Sequence, residues 1–170
     1  MTFVRRTLLV LAIVAASLPG ARAATDAPSE VTGGLSWSST DSVKTIIADF
    51  RLTFPVNDLL SFGPLLNYTS VRSEDDAVTA DFDATSLGGL VELNTAATHN
   101  GIYFGLGATT LMGNDTDGWL LIPEVGFKFG TGTTLLRVAY SHPYQYGADD
   151  TEGYVDLQQS RVTVALGWRF

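Results

Sequence analysis

The sequence contains no cysteine among its 170 residues. This absence excludes disulfide bridges, cysteine-ligated metal sites and a cysteine nucleophile. After residue 23, no stretch approaches 18 consecutive apolar residues, so the sequence predicts no membrane-spanning helix. The acidic connections could bind divalent cations, which take carboxylate ligands, but neither Asp115-x-Asp117 nor Asp149-Asp150-x-Glu152 has the spacing of an EF-hand, and a solvated, repulsive surface is the favoured interpretation. We therefore expect no cofactor and no metal, and a fold stabilised by its sheet and by the surroundings of that sheet.

The N-terminal segment has the three parts of a secretory signal peptide. Arg5 and Arg6 are positively charged, residues 7–18 are mostly apolar, and Ala21-Arg22-Ala23 has the pattern of a cleavage site. The alternative, a transmembrane anchor, needs about 20 apolar residues, and this run is too short. The sequence predicts a signal peptide over residues 1–23 that is cleaved after Ala23.

Basic residues are scarce in the remaining chain. Three of the ten lie in the N-terminal segment, which leaves seven basic against 18 acidic residues, a net charge of −11 over residues 24–170. A protein that binds nucleic acid needs a basic face to neutralise phosphates. The charge therefore excludes nucleic acid as an expected partner.

The last ten residues alternate strictly between two kinds of side chain. Val162, Val164, Leu166, Trp168 and Phe170 share one face, and the residues between them, from Arg161 to Arg169, share the other. This period of two is typical of a half-buried β-strand. A tilted strand of about ten residues is long enough to cross a bilayer.

The same alternation recurs along the chain, separated by turns such as Gly130-Thr131-Gly132. Residues 24–32 are interpreted as a short periplasmic lead-in, and residues 33–170 as one domain. The eight predicted strands span about 33–39, 43–54, 59–72, 77–93, 101–112, 118–129, 133–146 and 154–170. Short connections alternate with longer acidic ones, as in outer-membrane barrels. We therefore predict an all-β fold, an eight-stranded antiparallel up-and-down transmembrane β-barrel with both termini periplasmic.

A soluble eight-stranded barrel would turn the apolar face inward around a ligand. Here that face carries too many large residues to fit such an interior, whereas the opposite face is rich in small residues. The opposite face also carries charges of both signs, which an interior tolerates only when they are paired. The predicted lumen charges are Asp49, Arg51, Glu92, Glu124, Lys128, Arg137 and Arg161, with Arg169 on the same face. We expect Glu92 and Glu124 to pair with some of Arg137, Lys128 and Arg161.

Aromatic residues near the strand ends of the apolar face predict two interfacial belts. The predicted aromatic girdle comprises Phe54, Trp119, Phe127, Phe129, Tyr140 and Tyr144.

Two segments are distinctive: the terminal Gly167-Trp168-Arg169-Phe170 and the glycine-spaced Gly101-Ile102-Tyr103-Phe104-Gly105-Leu106-Gly107. With them the chain resembles the small eight-stranded outer-membrane β-barrels of Gram-negative bacteria, the family that includes outer-membrane protein X and the transmembrane domain of outer-membrane protein A. In that family a C-terminal aromatic on an alternating strand is read by the barrel-assembly machinery. The resemblance implies this role for Phe170, supported by Val164, Leu166 and Trp168.

The leading function predicted from the sequence is a non-enzymatic outer-membrane barrel, a monomer with a salt-bridged lumen and acidic outer loops for structural or surface-interaction roles. Its expected partners are outer-membrane lipid and lipopolysaccharide. The alternatives are a narrow, porin-like channel for ions or small solutes and, less favoured, a lipid A-modifying enzyme. Ser141 and His142 are adjacent and so point to opposite faces, which prevents them from forming a nucleophile–base pair. His99 lies on a turn far from Ser141.

Overall fold

The computed structural model describes residues 27–40, 43–73, 82–112, 118–147 and 157–170. Within these ranges the chain forms nine β-strands and no helix. None of the described segments is a helix that could cross a membrane. The strands are β1 Glu30–Thr40, β2 Val43–Pro55, β3 Leu60–Ser73, β4 Phe82–Asn94, β5 Gly101–Met112, β6 Trp119–Thr131, β7 Thr134–Ser141, β8 Tyr144–Tyr146 and β9 Arg161–Arg169.

The strands close into an eight-stranded antiparallel barrel, as the alternation predicted. Each strand pairs with the next along the chain from β1 to β7. The circle closes where β9 pairs with both β7 and β1, with Val31 opposite Trp168 and Val138 opposite Val164. Among the described strands, closure gives every strand except β8 a partner on both sides, whereas β8 pairs with β6 alone. Paired edges protect a sheet from edge-to-edge association.

The seventh barrel strand is interrupted. β7 and β8 pair with β6 in one continuous register, with Ser141 opposite Glu124 and Tyr144 opposite Leu121. Between them lie His142 and Pro143, and proline has no N–H to contribute to the ladder. The His142 backbone N–H still donates to the Pro123 carbonyl at 3.3 Å. β7 and β8 therefore act as one strand of the barrel.

The predicted boundaries of the first and last strands differ from the structure at the start of each strand. The first strand begins at Glu30 rather than residue 33, because Glu30 pairs with Thr53 on one side and Arg169 on the other. Residues 30–32 thus belong to the barrel and not to a lead-in. The last strand begins at Arg161 rather than near residue 154, and residues 157–160 lie outside any strand.

The two ends of the barrel differ in their connections, and we name them accordingly. The turn end carries the short connections 56–59, 95–100 and 132–133, and it also holds Ser29 hydrogen-bonded to Phe170 through both backbone groups. The loop end carries the connections after β1, β3, β5 and β8.

Burial alternates residue by residue along each strand. In β9 every second side chain from Arg161 to Arg169 is buried, and the intervening ones are exposed. Successive side chains of a strand point to opposite faces, so one set lines the lumen and the other lies on the outer wall.

The lumen has room for long side chains because some inward positions are glycine. A Cβ on Gly126 would lie 2.5 Å from the Tyr103 ring, and one on Gly34 would lie 2.6 Å from an Asp49 carboxylate oxygen. Both distances are far below van der Waals contact. The small inward residues therefore make the space that the charged and aromatic side chains occupy.

Candidate functional site

The centre of the lumen contains a cluster of four charged side chains from three strands. Arg51 on β2 donates to both carboxylate oxygens of Glu124 on β6, at 2.6 and 2.7 Å. Arg137 on β7 donates to Glu124 at 3.1 Å and to Asp49 on β2 at 2.7 Å. Arg51 also donates to Asp49 at 3.0 Å. Two cations and two anions thus neutralise one another in what we call the central cluster.

Tyr103 completes the central cluster. It is fully buried, and its hydroxyl donates to Glu124 at 2.5 Å and accepts from Arg137 at 3.3 Å. Its ring fills the space left by Gly126 and lies 4.9 Å from the Lys128 ammonium, measured to the ring centroid. This distance is within the range of a cation–π contact. Tyr103 therefore links the central cluster to the charges nearer the turn end.

A second cluster lies at the turn end. The Lys128 ammonium donates to Glu30 at 2.6 Å and to Glu92 at 2.5 Å. Arg169 donates to Glu30 at 3.0 Å and to the side-chain oxygen of Asn100 at 2.7 Å. This turn-end cluster, also of two cations and two anions, is connected to the central cluster by Arg51 and Glu92, 3.7 Å apart.

His99 lies against the turn-end cluster in an unusual state. Its side chain is buried, neither ring nitrogen has a hydrogen-bond partner in the structure, and its φ angle of +53° is left-handed. Its Nδ1 is 3.8 Å from Glu30, and its carbonyl accepts from Arg169 at 3.0 Å. Burial lowers the pKa of the imidazole, and the Glu30 carboxylate opposes this in part. The geometry favours a neutral ring.

Nearer the loop end the lumen becomes apolar. The buried residues of this apolar cluster are Leu65, Val71, Leu90, Leu111, Leu120, Ile122 and Leu157. Arg161 is also buried on this side of the central cluster, and its Nε donates to the Ser141 hydroxyl at 3.2 Å. A cavity of about 10 Å³ beside Arg51 and Glu124 is at the lower limit for one water molecule.

These contacts join opposite walls of the barrel. Residues of β2 bind residues of β6 and β7, and Lys128 on β6 binds partners on β1 and β4. The paired atoms are at direct hydrogen-bonding distance, so no water lies between them. Over the described residues, the lumen is therefore filled by side chains at two levels.

All seven predicted lumen charges lie on the inner face and are buried. Glu124 pairs with Arg137 and Glu92 with Lys128, whereas Arg161 binds Ser141 and has no carboxylate within 4.0 Å among the described residues. Sequence reasoning missed Glu30, because it placed this residue in a lead-in. The sequence does carry a signal for Glu30, because polar and apolar residues alternate from this position onward. The polar ones are Glu30, Thr32 and Ser36, and the apolar ones are Val31, Leu35 and Trp37.

The outer wall is apolar around the barrel. Exposed large hydrophobic side chains occur on every strand from β1 to β9. The predicted girdle residues Trp119, Phe127, Phe129, Tyr140 and Tyr144 are among them, while Phe54 is half-buried against Phe62. The proposed assembly residues Val164, Leu166, Trp168 and Phe170 also point outward, and Phe170 is 70 % exposed.

A hydrogen-bonded serine and histidine lie on this outer wall. His142 Nδ1 is 2.8 Å from the Ser160 hydroxyl, and the Tyr140 hydroxyl donates to the same Ser160 oxygen at 2.8 Å. Ser141, by contrast, is buried in the lumen. The serine next to His142 in space is thus not the one next to it in sequence.

Several predictions fall outside the described residues. These are the signal peptide with its cleavage site and, except for their first residues 73 and 147, the predicted acidic connections 73–76, 113–117 and 147–153. Among the residues that are described, no group of three or more histidine, aspartate or glutamate side chains is arranged to hold a metal ion.

No known protein family matches this sequence, and no curated protein is significantly similar to it.

Proposed function

We propose that this chain is an integral outer-membrane β-barrel whose lumen is a structural core and whose role is exerted at its outer surface. The observation that carries the proposal is the inverted distribution of polarity. Charged and polar side chains fill the central and turn-end levels of the lumen, a small aliphatic cluster lies nearer the loop end, and large apolar side chains cover the outside. The alternation across β9, between Arg161 and Arg169 inside and Val162 to Trp168 outside, is one example.

A bilayer accounts for this inversion. Soluble monomers rarely expose contiguous apolar patches larger than a few hundred Å². A closed barrel satisfies every ladder hydrogen bond internally, which is the condition for crossing hydrocarbon with strands. A tilted strand needs roughly ten residues to span a bilayer. Seven of the eight barrel strands are nine to 14 residues long, and the eighth is the interrupted β7–β8, which is also long enough. Outer-membrane lipid and lipopolysaccharide are then its surroundings, and the barrel-assembly machinery is the expected partner during insertion.

The filled lumen favours a structural role over conduction. An eight-stranded barrel has an interior just wide enough for side chains to fill. Here the central and turn-end clusters tie opposite walls together at two levels. The porin-like alternative would require both clusters to separate.

The location is tested by expressing the full chain in a Gram-negative host and fractionating its membranes. We expect recovery in the outer membrane, resistance to carbonate extraction, and a band that migrates differently in gel electrophoresis before and after boiling. Recovery of a folded barrel in the soluble fraction would refute the proposal.

Conduction is tested separately in planar bilayers with the purified, folded protein. We expect no steady openings from the native chain. Reproducible single-channel steps would replace the structural role by the channel.

A further inference from the structure

The His142–Ser160 pair is built by strand register. Ser141 lies opposite Arg161 where β7 pairs with β9, and extending that pairing by one residue places His142 opposite Ser160. Both side chains project outward, because their neighbours Ser141 and Arg161 are buried in the lumen. The pair is therefore a product of the barrel, and it lies on the wall that the proposed function turns toward lipid.

We propose that Ser160 and His142 form the nucleophile and general base of an acyl-ester hydrolase that acts on membrane lipids. A serine hydroxyl within hydrogen-bonding distance of an imidazole nitrogen is the arrangement that activates serine for acyl transfer. The distance of 2.8 Å meets this condition. Ser160 is exposed, so a substrate can reach its oxygen. The inference rests on the proposed location in the outer membrane and goes beyond the non-enzymatic role expected from the sequence.

Neighbouring groups hold the imidazole in place. The backbone N–H of His142 is bonded to the Pro123 carbonyl, and the ring meets Tyr144 edge-on with centroids 5.0 Å apart. A proton on Nε2 leaves Nδ1 free to accept from Ser160. The Tyr140 hydroxyl, which donates to the Ser160 oxygen, is placed to donate to an oxyanion that forms on the carbon bonded to it.

The height of the His142–Ser160 pair along the barrel axis indicates which bonds of a lipid it could reach. His142 lies about 20 Å from Thr134 along the barrel axis, using a rise of ~3.3 Å per residue and a tilt of ~40°. The apolar band of such a barrel is about 25 Å tall, which places the pair near its upper boundary. Tyr144 and the stacked Trp119 and Tyr146 lie beside it, and such aromatic side chains mark the interface. The ester bonds that join acyl chains to lipid headgroups lie at this depth.

The reaction has two balanced steps. Ser160 Oγ bonds to the ester carbonyl carbon as its proton passes to His142 Nδ1; the bond from that carbon to the alcohol oxygen then breaks, and Nδ1 returns the proton to this oxygen. Water then attacks the acyl-serine and gives a proton to His142, which passes it to Ser160 Oγ. The products are a fatty acid and the deacylated lipid.

The test uses the full chain expressed in the host, purified and inserted into vesicles. One set contains phosphatidylethanolamine with deuterated acyl chains, and a second also contains unlabelled lipopolysaccharide. Mass spectrometry of released fatty acids then distinguishes the two ester sources. In parallel, a fluorophosphonate probe reports whether the Ser160 hydroxyl is nucleophilic, whichever lipid is the substrate.

We expect fatty acid release from one of the two lipids and a probe adduct on the peptide that contains Ser160. Ser160→Ala should abolish both, and His142→Gln should lower the rate of release by about 100-fold or more, the usual contribution of a general base. Ser141→Ala is the matched control, because it removes the adjacent hydroxyl from the inner wall and should leave the rate of release unchanged.

Two results would overturn the inference while leaving the proposed location intact. One is a barrel that inserts into vesicles but neither releases fatty acid nor reacts with the probe; the other is release that persists in Ser160→Ala. A chain that does not insert at all would overturn the proposed location and this inference with it.

Discussion

The inner and outer faces of the barrel wall are made by the same strands, yet their polarity is opposite. On β7, Arg137 is 1 % exposed and hydrogen-bonded to two carboxylates, while its neighbours Leu136 and Val138 are exposed. In a soluble protein the burial of these residues would be reversed, because water stabilises the charges and excludes the aliphatic side chains. The inward charged side chains are thus held by ion pairs with one another. The exposed aliphatic side chains of the outer wall must instead be stabilised by the medium around the barrel.

The largest expected loss of stability comes from removing Arg137 from the central cluster. Arg137→Ala leaves Glu124 and Asp49 buried with one partner fewer, and the loss of one member of a buried ion pair typically costs about 3–5 kcal/mol. We expect the unfolding free energy in urea to fall by this amount, while the heat-modifiable band still reports insertion.

The matched control for Arg137→Ala is Arg72→Ala. Arg72 pairs with Asp83 at 3.2 Å, but both side chains are about half exposed. An exposed ion pair contributes at most about 1 kcal/mol. Equal losses in the two variants would contradict a special role for the central cluster.

The outer face is tested next by placing a charge on it. Leu106 is 51 % exposed near the middle of β5. Leu106→Arg should cost about 2–4 kcal/mol in a bilayer if this position faces the hydrocarbon midplane. Urea titrations of the protein folded into vesicles measure the cost. Val56→Arg, on an exposed turn, is the control, and an equal cost at both positions would argue against contact of Leu106 with lipid.

A smaller effect is expected from overfilling the lumen. Gly126→Ala places a methyl group against the Tyr103 ring, and overpacking of this kind typically costs about 1–3 kcal/mol. Gly33→Ala adds the same group where nothing lies within 4 Å, and should change little. Thermal melts of the two variants in detergent compare the costs, and a stable Gly126→Ala barrel would mean that Tyr103 can move.

The smallest effect concerns pH at the turn end. Burial lowers the pKa of His99 in the folded state, so the unfolded chain takes up the proton first as pH falls below about 6.5. Stability should therefore be full above this pH and decline below it, until pH passes the lowered pKa of the folded state. His99→Asn, which tolerates a positive φ, should reduce the slope between pH 7 and 5 in urea titrations. An identical slope in the variant would show that other groups cause the decline.

Much of the fold could be predicted from alternation alone. The positions of Arg51, Glu124, Lys128 and Arg137 on one face follow from a period of two. The hairpin turn predicted at 130–132 lies at 132–133, because Gly130 and Thr131 still pair with β7. Boundaries were less accurate: proline in the seventh strand breaks the ladder at Pro143, and the first strand extends to Glu30 because both neighbouring strands extend that far.

The pairing within the lumen could not be predicted in full. Arg51 meets Glu124 across 73 residues of sequence, and Lys128 meets Glu30 across 98. Which inward side chains share a level depends on the stagger and tilt of all eight strands. Ser160 and His142 are 18 residues apart, and only the register between β7 and β9 brings them together.

The sequence by itself determined that each strand has an apolar face and a polar face, because side chains of a strand alternate whatever the surroundings. It also determined which charges share the polar face. Only the tertiary structure decided how that face is used: closure of the sheet turns it inward, and the stagger of the strands selects which cation meets which carboxylate. The same stagger places one serine beside one histidine on the outer wall, since contacts between distant strands depend on the geometry of the whole barrel.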